Sequence, residues 1–236
     1  IFNNVHNAKE YVCIEFYIFR DDETGIEFAN LLKQKAKEGV KIYLLYDHFG
    51  SLYTSTSFWF ELKNAGVQLH ASRTFMLQSP LQYFIRDHIK LIIIDGIKAF
   101  TGGLNIANEY RGYKLRRTRI KGWRDTGVLV EGPVVSVLLD IFNKNWKKWG
   151  GEPLQWQASE EVFSDGVPII PIFAASSKGR KRMRKLLYYS INSAKENIYL
   201  TTAYFVPSRM MLKSLEQAVK RGVNVKLLAP GKSDVL

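Results

Sequence analysis

The tripeptide Ala8-Lys9-Glu10 opens a pattern that this chain uses twice. After it come a strand-like run over residues 11–18, a helix-like run ending Lys37-Glu38-Gly39, and a short aliphatic strand from Val40-Lys41-Ile42. The same order returns at Ala194-Lys195-Glu196: strand-like residues 197–202, a helix-like run ending Lys220-Arg221-Gly222, then Val223-Asn224-Val225. The two stretches align with one length difference of three residues. In each, a glycine after a basic last turn signals the end of a helix. The aliphatic run after it signals a strand. Strands alternating with helices imply an α/β sandwich, a sheet covered by helices. We therefore expect two copies of one α/β unit. The first runs over residues 1–150, and the second begins at 165 and is still incomplete at Leu236. Residues 151–164, rich in Gly, Glu, Gln and Ser, read as a linker. Within the first copy, 58–64 and 133–149 read as helices and 67–71 as a strand, while 73–86, with Pro80 and no clear period, reads as a long loop of the functional kind.

Composition narrows the function. With 236 residues and 46% apolar content the chain can build a proper core. Its formal net charge of +12 points to an anionic partner: nucleic acid, an acidic lipid surface or a phosphate-bearing substrate. The one cysteine, Cys13, excludes an intrachain disulfide and a thiolate metal cluster, and its apolar setting reads as a buried small hydrophobe. No apolar stretch reaches the 18 or so residues needed to cross a bilayer. The chain starts with Ile1 and carries no signal-peptide pattern, so we expect it to begin in mid-protein, with room upstream for a membrane segment.

The chemistry is concentrated in Asp87-His88-Ile89-Lys90-Leu91-Ile92-Ile93-Ile94-Asp95-Gly96 and the following Thr101-Gly102-Gly103-Leu104-Asn105. Residues 89–94 read as a buried strand. Asp95-Gly96 is a two-residue hairpin signal. Alternation puts His88 and Lys90 on one face. That pair suits a core badly, since both groups need polar partners. It suits a phosphodiester well: a lysine holds anionic oxygens, and a histidine titrating near neutrality attacks phosphorus or moves a proton. Gly102 and Gly103 let backbone approach a ligand, and their successive amides are expected to cradle an anion. Asn105 follows where residues 106–110 begin a helix, whose N-terminus also favours anions. A set of this kind arises by chance in roughly 1 in 10⁵–10⁶ chains of this length, which sets it apart from a lone strand histidine.

The spacing His88-x-Lys90-x4-Asp95-x6-Gly102-Gly103-x-Asn105 resembles the signature of the phospholipase D superfamily. It is similar in particular to bacterial cardiolipin synthases, through Arg86-Asp87-His88, Glu109-Tyr110, Trp123-Arg124-Asp125, Gly132-Pro133 and Tyr204-Phe205-Val206-Pro207. Thr202-Ala203-Tyr204-Phe205 stands where those relatives have Thr-Pro-Tyr-Phe. The resemblance implies a phospholipase D-like sandwich: a mixed β-sheet flanked by helices, in two pseudo-repeated lobes. It implies an enzyme in which two such motifs, one from each half, surround a single site. One histidine forms a phosphohistidine, the other protonates the leaving alcohol, and neither cofactor nor metal takes part. By carry-over His88 is the nucleophile or its acid partner, with the nucleophile favoured, Lys90 and Asn105 bind phosphate with Gly102 and Gly103, and Asp125, on a strand after the motif, orients a histidine across the site. Asp95 belongs to the catalytic signature, yet its turn position and opposite parity read as a structural anchor. The second His-x-Lys is absent from this sequence, so we expect a fragment that pairs with its own second half and is inactive alone.

The resemblance implies a phosphatidyltransferase that joins two phosphatidylglycerols with loss of glycerol, at a bacterial-type inner membrane. The alternative is a phospholipase D-family nuclease or phosphodiesterase; a non-catalytic binding protein of the same fold fits His88 and Lys90 poorly. Two basic clusters bear on the choice. Residues 178–185, with Lys178, Arg180, Lys181 and Arg182, hold six cations on a helix whose apolar side carries Met183, Leu186, Leu187 and Ile191; residues 111–121 hold another six. Each cation is worth about 1 kcal/mol near an anionic lipid surface. The loop residues Phe75, Met76, Leu77, Leu81, Tyr83 and Phe84 offer apolar contacts before the motif. Glu109, Tyr204 and Phe205 complete the expected substrate or membrane contacts. Aromatics interleaved with cations also suit single-stranded nucleic acid.

Overall fold

A computed structural model describes residues 1–73, 88–111, 123–156, 158–174 and 176–231. The chain divides into two compact units, Ile1–Pro171 and Ile172–Leu236. In the first, α1 (Phe2–His6), β1 (Tyr11–Phe16), α2 (Glu23–Lys37), β2 (Lys41–Asp47), α3 (Thr56–Asn64) and β3 (Gln68–Ser72) precede β4 (Lys90–Ile94), β5 (Lys98–Gly102), β6 (Gly127–Glu131) and α4 (Val134–Lys148). The six strands form one sheet in the order β3-β2-β1-β4-β5-β6. β1, β2 and β3 run parallel, and β4 is antiparallel to β1 and to β5. Parallel neighbours need crossover connections, and α2 and α3 provide them.

The register sorts side chains onto two cores. Val12 opposes Ile94, Ile14 opposes Ile92 and Phe16 opposes Lys90. Val12, Ile14, Ile42, Leu44 and Ile92 pack under Val5, Phe28, Leu32, Phe58 and Leu62 from α1–α3. Cys13, Tyr43, Leu45, Leu91 and Ile93 pack under Val135, Leu138, Phe142 and Trp146 from α4. Strands covered on both faces read as near-continuous apolar runs, as β1 and β4 do. Cys13 is fully buried, and burial pushes its thiol well above its usual range, which suits an inert core residue.

The second unit is smaller. α5 (Ser177–Ser193), β7 (Asn197–Thr201), α6 (Arg209–Lys220) and β8 (Asn224–Leu228) form a parallel β-α-β unit with a helix before it. The repeat is exact at the level of single hydrogen bonds. Lys41 N–H donates to the Glu10 carbonyl at 3.0 Å, and Asn224 N–H to that of Glu196 at 2.8 Å. Val40 N–H reaches the Lys35 carbonyl at 3.0 Å, and Val223 N–H that of Ala218 at 3.1 Å. Between them Gly39 and Gly222 adopt φ of 90° and 89°, which a side chain resists.

Three expectations change. Residues 151–164 do more than link: Leu154, Trp156 and Ala158 pack on the α4-side core, Ser159 N–H donates to the Gly96 carbonyl at 3.0 Å, and the unit boundary falls after Pro171. Local composition read as linker because these scattered apolar residues follow no period. The hairpin loop holds three residues, since Ile94 pairs with Lys98. The helix expected at 106–110 is only a 3-10 turn over Asn108–Tyr110. The loop expected at 73–86 lies, beyond Arg73, outside the described residues, as do Asp87 and basic residues 112–121.

Candidate active site

His88 and Lys90 stand where β4 begins, next to the C-terminal end of β1, its antiparallel neighbour. His88 is exposed and Lys90 half-buried. The imidazole lies flat on the ring of Tyr17, the first residue beyond β1, with centroids 4.0 Å apart and planes 17° apart. The Lys90 ammonium is 5.6 Å from the centroid of that same ring and donates to the His88 carbonyl at 2.8 Å. Tyr17 N–H donates to the Ile89 carbonyl at 3.1 Å, so β1 and the motif stay tied beyond the regular ladder. The sequence placed the two motif side chains together. It missed Tyr17, because the pairing of β1 with β4 joins residues more than seventy positions apart.

Asn105 is buried and works as a clamp. Its Oδ1 accepts from Ile18 N–H at 3.1 Å, and its Nδ2 donates to the Tyr110 hydroxyl at 2.8 Å. Burial pushes the Tyr110 hydroxyl above its ordinary range, against the hydrogen bond from Asn105, and Asp125 and Glu109 add to the rise. Tyr110 therefore stays protonated. Glu109 pairs with Arg20 at 3.1 Å.

The glycines do a different task from the one expected. A Cβ on Gly102, at φ 140°, would sit 2.3 Å from the Thr126 carbonyl oxygen, and one on Gly103 would sit 1.9 Å from Asp125 Oδ1. The room they leave is taken by Asp125 and Thr126. Gly103 N–H donates to the Thr126 carbonyl at 3.0 Å, so that amide closes a contact between segments and does not line an anion cradle. Asp125 precedes β6 and does not lie on a strand. It is exposed, and its Oδ1 accepts from Thr126 N–H at 2.7 Å.

Asp95 stands at the far end of β4 from His88. Its carboxylate accepts from the N–H groups of Lys9, Glu10 and Tyr11, each at 2.8 Å, and its φ is 51°. Beside Lys90 opens an apolar cavity of about 270 Å³, lined by Phe16, Ile92, Phe100, Leu104 and Leu129 among others. Lys178, Arg180, Lys181 and Arg182 are exposed on α5 of the second unit, where Ser176 caps the helix through Gly179 N–H at 3.0 Å. Tyr204 and Phe205 follow β7 in that unit, with Tyr204 half exposed. Among the described residues no helix is long and apolar enough to cross a membrane.

A mixed sheet that presents His-x-Lys at the entry to one strand, with a Gly-Gly-x-Asn turn beside it, defines a phospholipase D-type domain. The chain belongs to the phospholipase D-like domain family of cardiolipin synthase, whose model matches residues 1–146 and 187–236. It is 34% identical over 237 residues to cardiolipin synthase A of Pseudomonas fluorescens, covering 99% of this chain and 48% of that protein. It is 35% identical over 241 residues to cardiolipin synthase 2 of Bacillus cereus, covering 99% and 46%. The chain thus spans about half the length of the curated relatives it matches. Phosphatidylserine synthase of Haemophilus influenzae shares the fold, with a TM-score of 0.66 at 13% identity over 97% of this chain and 58% of that one.

Proposed function

We propose that the whole protein is a cardiolipin synthase-type phosphatidyltransferase acting on phosphatidylglycerol through a phosphohistidine. The observation that carries this is the His88–Lys90 pair, set side by side on one aromatic ring in a chain related to cardiolipin synthases along its whole length. In the proposed reaction an imidazole nitrogen of His88 attacks phosphorus and the bond from phosphorus to the glycerol head-group oxygen breaks. The histidine of the second half gives that oxygen its proton, and glycerol leaves. A hydroxyl of a second phosphatidylglycerol then attacks, the nitrogen–phosphorus bond breaks, and the alcohol proton returns to the second histidine. Lys90 neutralises the non-bridging oxygens, whose charge it meets at close range. Asn105 adds its remaining Nδ2 hydrogen to the phosphate and holds the turn that carries it. Asp125 orients the opposing histidine and supports its imidazolium.

The apolar cavity beside Lys90 favours a substrate with an apolar body next to its phosphate. The exposed cations of α5, with Met183 and Leu186 also exposed, suit an anionic bilayer surface, and we place the protein at a bacterial inner membrane. The site is completed by the protein's own second half.

The test uses the full-length protein with phosphatidylglycerol vesicles in chelator, single-stranded DNA as a parallel substrate, and mass spectrometry of the products. Cardiolipin with free glycerol is the expected result. Cut DNA with untouched lipid moves the protein to the nuclease branch of the superfamily.

A further inference from the structure

We infer that Tyr17 is the positioning residue of this site: its ring is the platform that sets the plane of His88 and the place of Lys90. Two contacts converge on it. The imidazole is stacked on it at 4.0 Å, and the Lys90 ammonium lies 5.6 Å from its centroid, within cation–π range. A single rigid ring thus fixes the spacing of the two groups that have to meet one phosphate.

The platform is itself held from behind. A Cβ on Gly50 would sit 2.1 Å from the Tyr17 carbonyl oxygen and 2.9 Å from ring carbon Cδ2, so the backbone of Gly50 is pressed against the tyrosine. Ser51 Oγ accepts from Phe19 N–H at 3.1 Å, and Thr54 Oγ1 donates to the Phe19 carbonyl. On the other side Asn105 takes Ile18 N–H, and Ile106 N–H donates to the Ile18 carbonyl at 3.2 Å. The segment after β1 therefore runs in a slot between two loops, and Tyr17 sits at its mouth. Such over-determination is unnecessary for an aromatic residue that only fills space. It is what a site needs when small displacements of the reacting group are costly, a 1 Å misplacement costing about 10²-fold in rate.

The inference rests on the phosphoryl-transfer reading of the site, and its test separates the two. In the full-length protein, Tyr17→Phe keeps the platform and Tyr17→Leu removes it. With phosphatidylglycerol as substrate, Tyr17→Phe should stay within about 3-fold of wild type. Tyr17→Leu should lose at least about 10-fold in kcat with KM within about 2-fold. Should Tyr17→Leu fold poorly, Tyr17→Met, which keeps an apolar side chain of similar reach without a flat ring, carries the test and should lower kcat in the same direction. The substrate-free readout is the ring-current shift of the His88 protons in histidine-labelled protein, assigned with His88→Gln. It should persist in Tyr17→Phe and vanish in Tyr17→Leu. An unmoved His88 resonance in Tyr17→Leu, an unchanged kcat, or an equal loss in Tyr17→Phe overturns the platform. Wild-type protein that leaves phosphatidylglycerol untouched, with the ring-current shift present, overturns the substrate and leaves the platform standing.

Discussion

Asp95 accepts the backbone N–H of Tyr11 at 2.8 Å, and through that bond the hairpin turn of the motif strand holds the first residue of β1. Its other hydrogen bonds take Lys9 and Glu10, so one carboxylate satisfies three successive amides where the chain enters the sheet. We propose that the aspartate of the signature serves folding. Asp95→Ala should destabilise the protein by about 3 kcal/mol, the scale of charge-assisted hydrogen bonds lost at a half-buried junction. The protein that remains folded should keep its kcat. Denaturant melts beside single-substrate kinetics check this, and a large loss of kcat at unchanged stability would return Asp95 to the chemistry.

Gly102 and Gly103 should fail in different ways. At Gly102, φ of 140° and the Thr126 carbonyl oxygen at 2.3 Å oppose any side chain with backbone. Gly102→Ala should therefore cost about 2–3 kcal/mol of stability. At Gly103 the obstacle is the exposed Asp125 carboxylate, which can swing away. Gly103→Ala should melt within about 1 kcal/mol of wild type and lose activity to the same extent as Asp125→Ala. If Gly103→Ala is fully active while Asp125→Ala is not, the contact between them has no part in orienting Asp125.

His70 packs its ring edge-on to Trp146 with centroids 4.6 Å apart, and burial, helped by the Lys63 charge, holds its pKa below the ordinary value of 6.5. The folded state binds this proton less readily than the unfolded state does. Its contribution is therefore fully present above pH 6.5 and is lost as pH falls through that value, until the folded group protonates too. The melting temperature of wild type should drop faster than that of His70→Phe between pH 7 and pH 5. Parallel pH profiles would show the buried-neutral reading to be wrong.

Much of this was legible in the sequence, for reasons that can be named. The repeat survives as matching hydrogen bonds because helix-ending glycines and aliphatic strands are local signals: Gly39 and Gly222, Val40 and Val223 carry it without help from distant residues. The His88–Lys90 pair was legible for the same reason, as two residues two positions apart at the entry to one strand. What escaped was non-local. Tyr17 meets His88 only because β1 pairs with β4, and the glycines proved to make room for Asp125 and Thr126, which lie more than twenty positions on. Trp156 joins the core from a stretch whose composition reads as linker, because a single buried aromatic leaves no period.

The most direct measurement is to quench the full-length protein during turnover of phosphatidylglycerol and map the covalent adduct by peptide mass spectrometry under alkaline conditions, where a phosphohistidine survives. The expected result is a phosphatidyl adduct on the peptide that contains His88, formed in the presence of chelator and lost, together with turnover, in His88→Ala. An adduct only on another residue, or wild-type turnover by a folded His88→Ala protein, would contradict it.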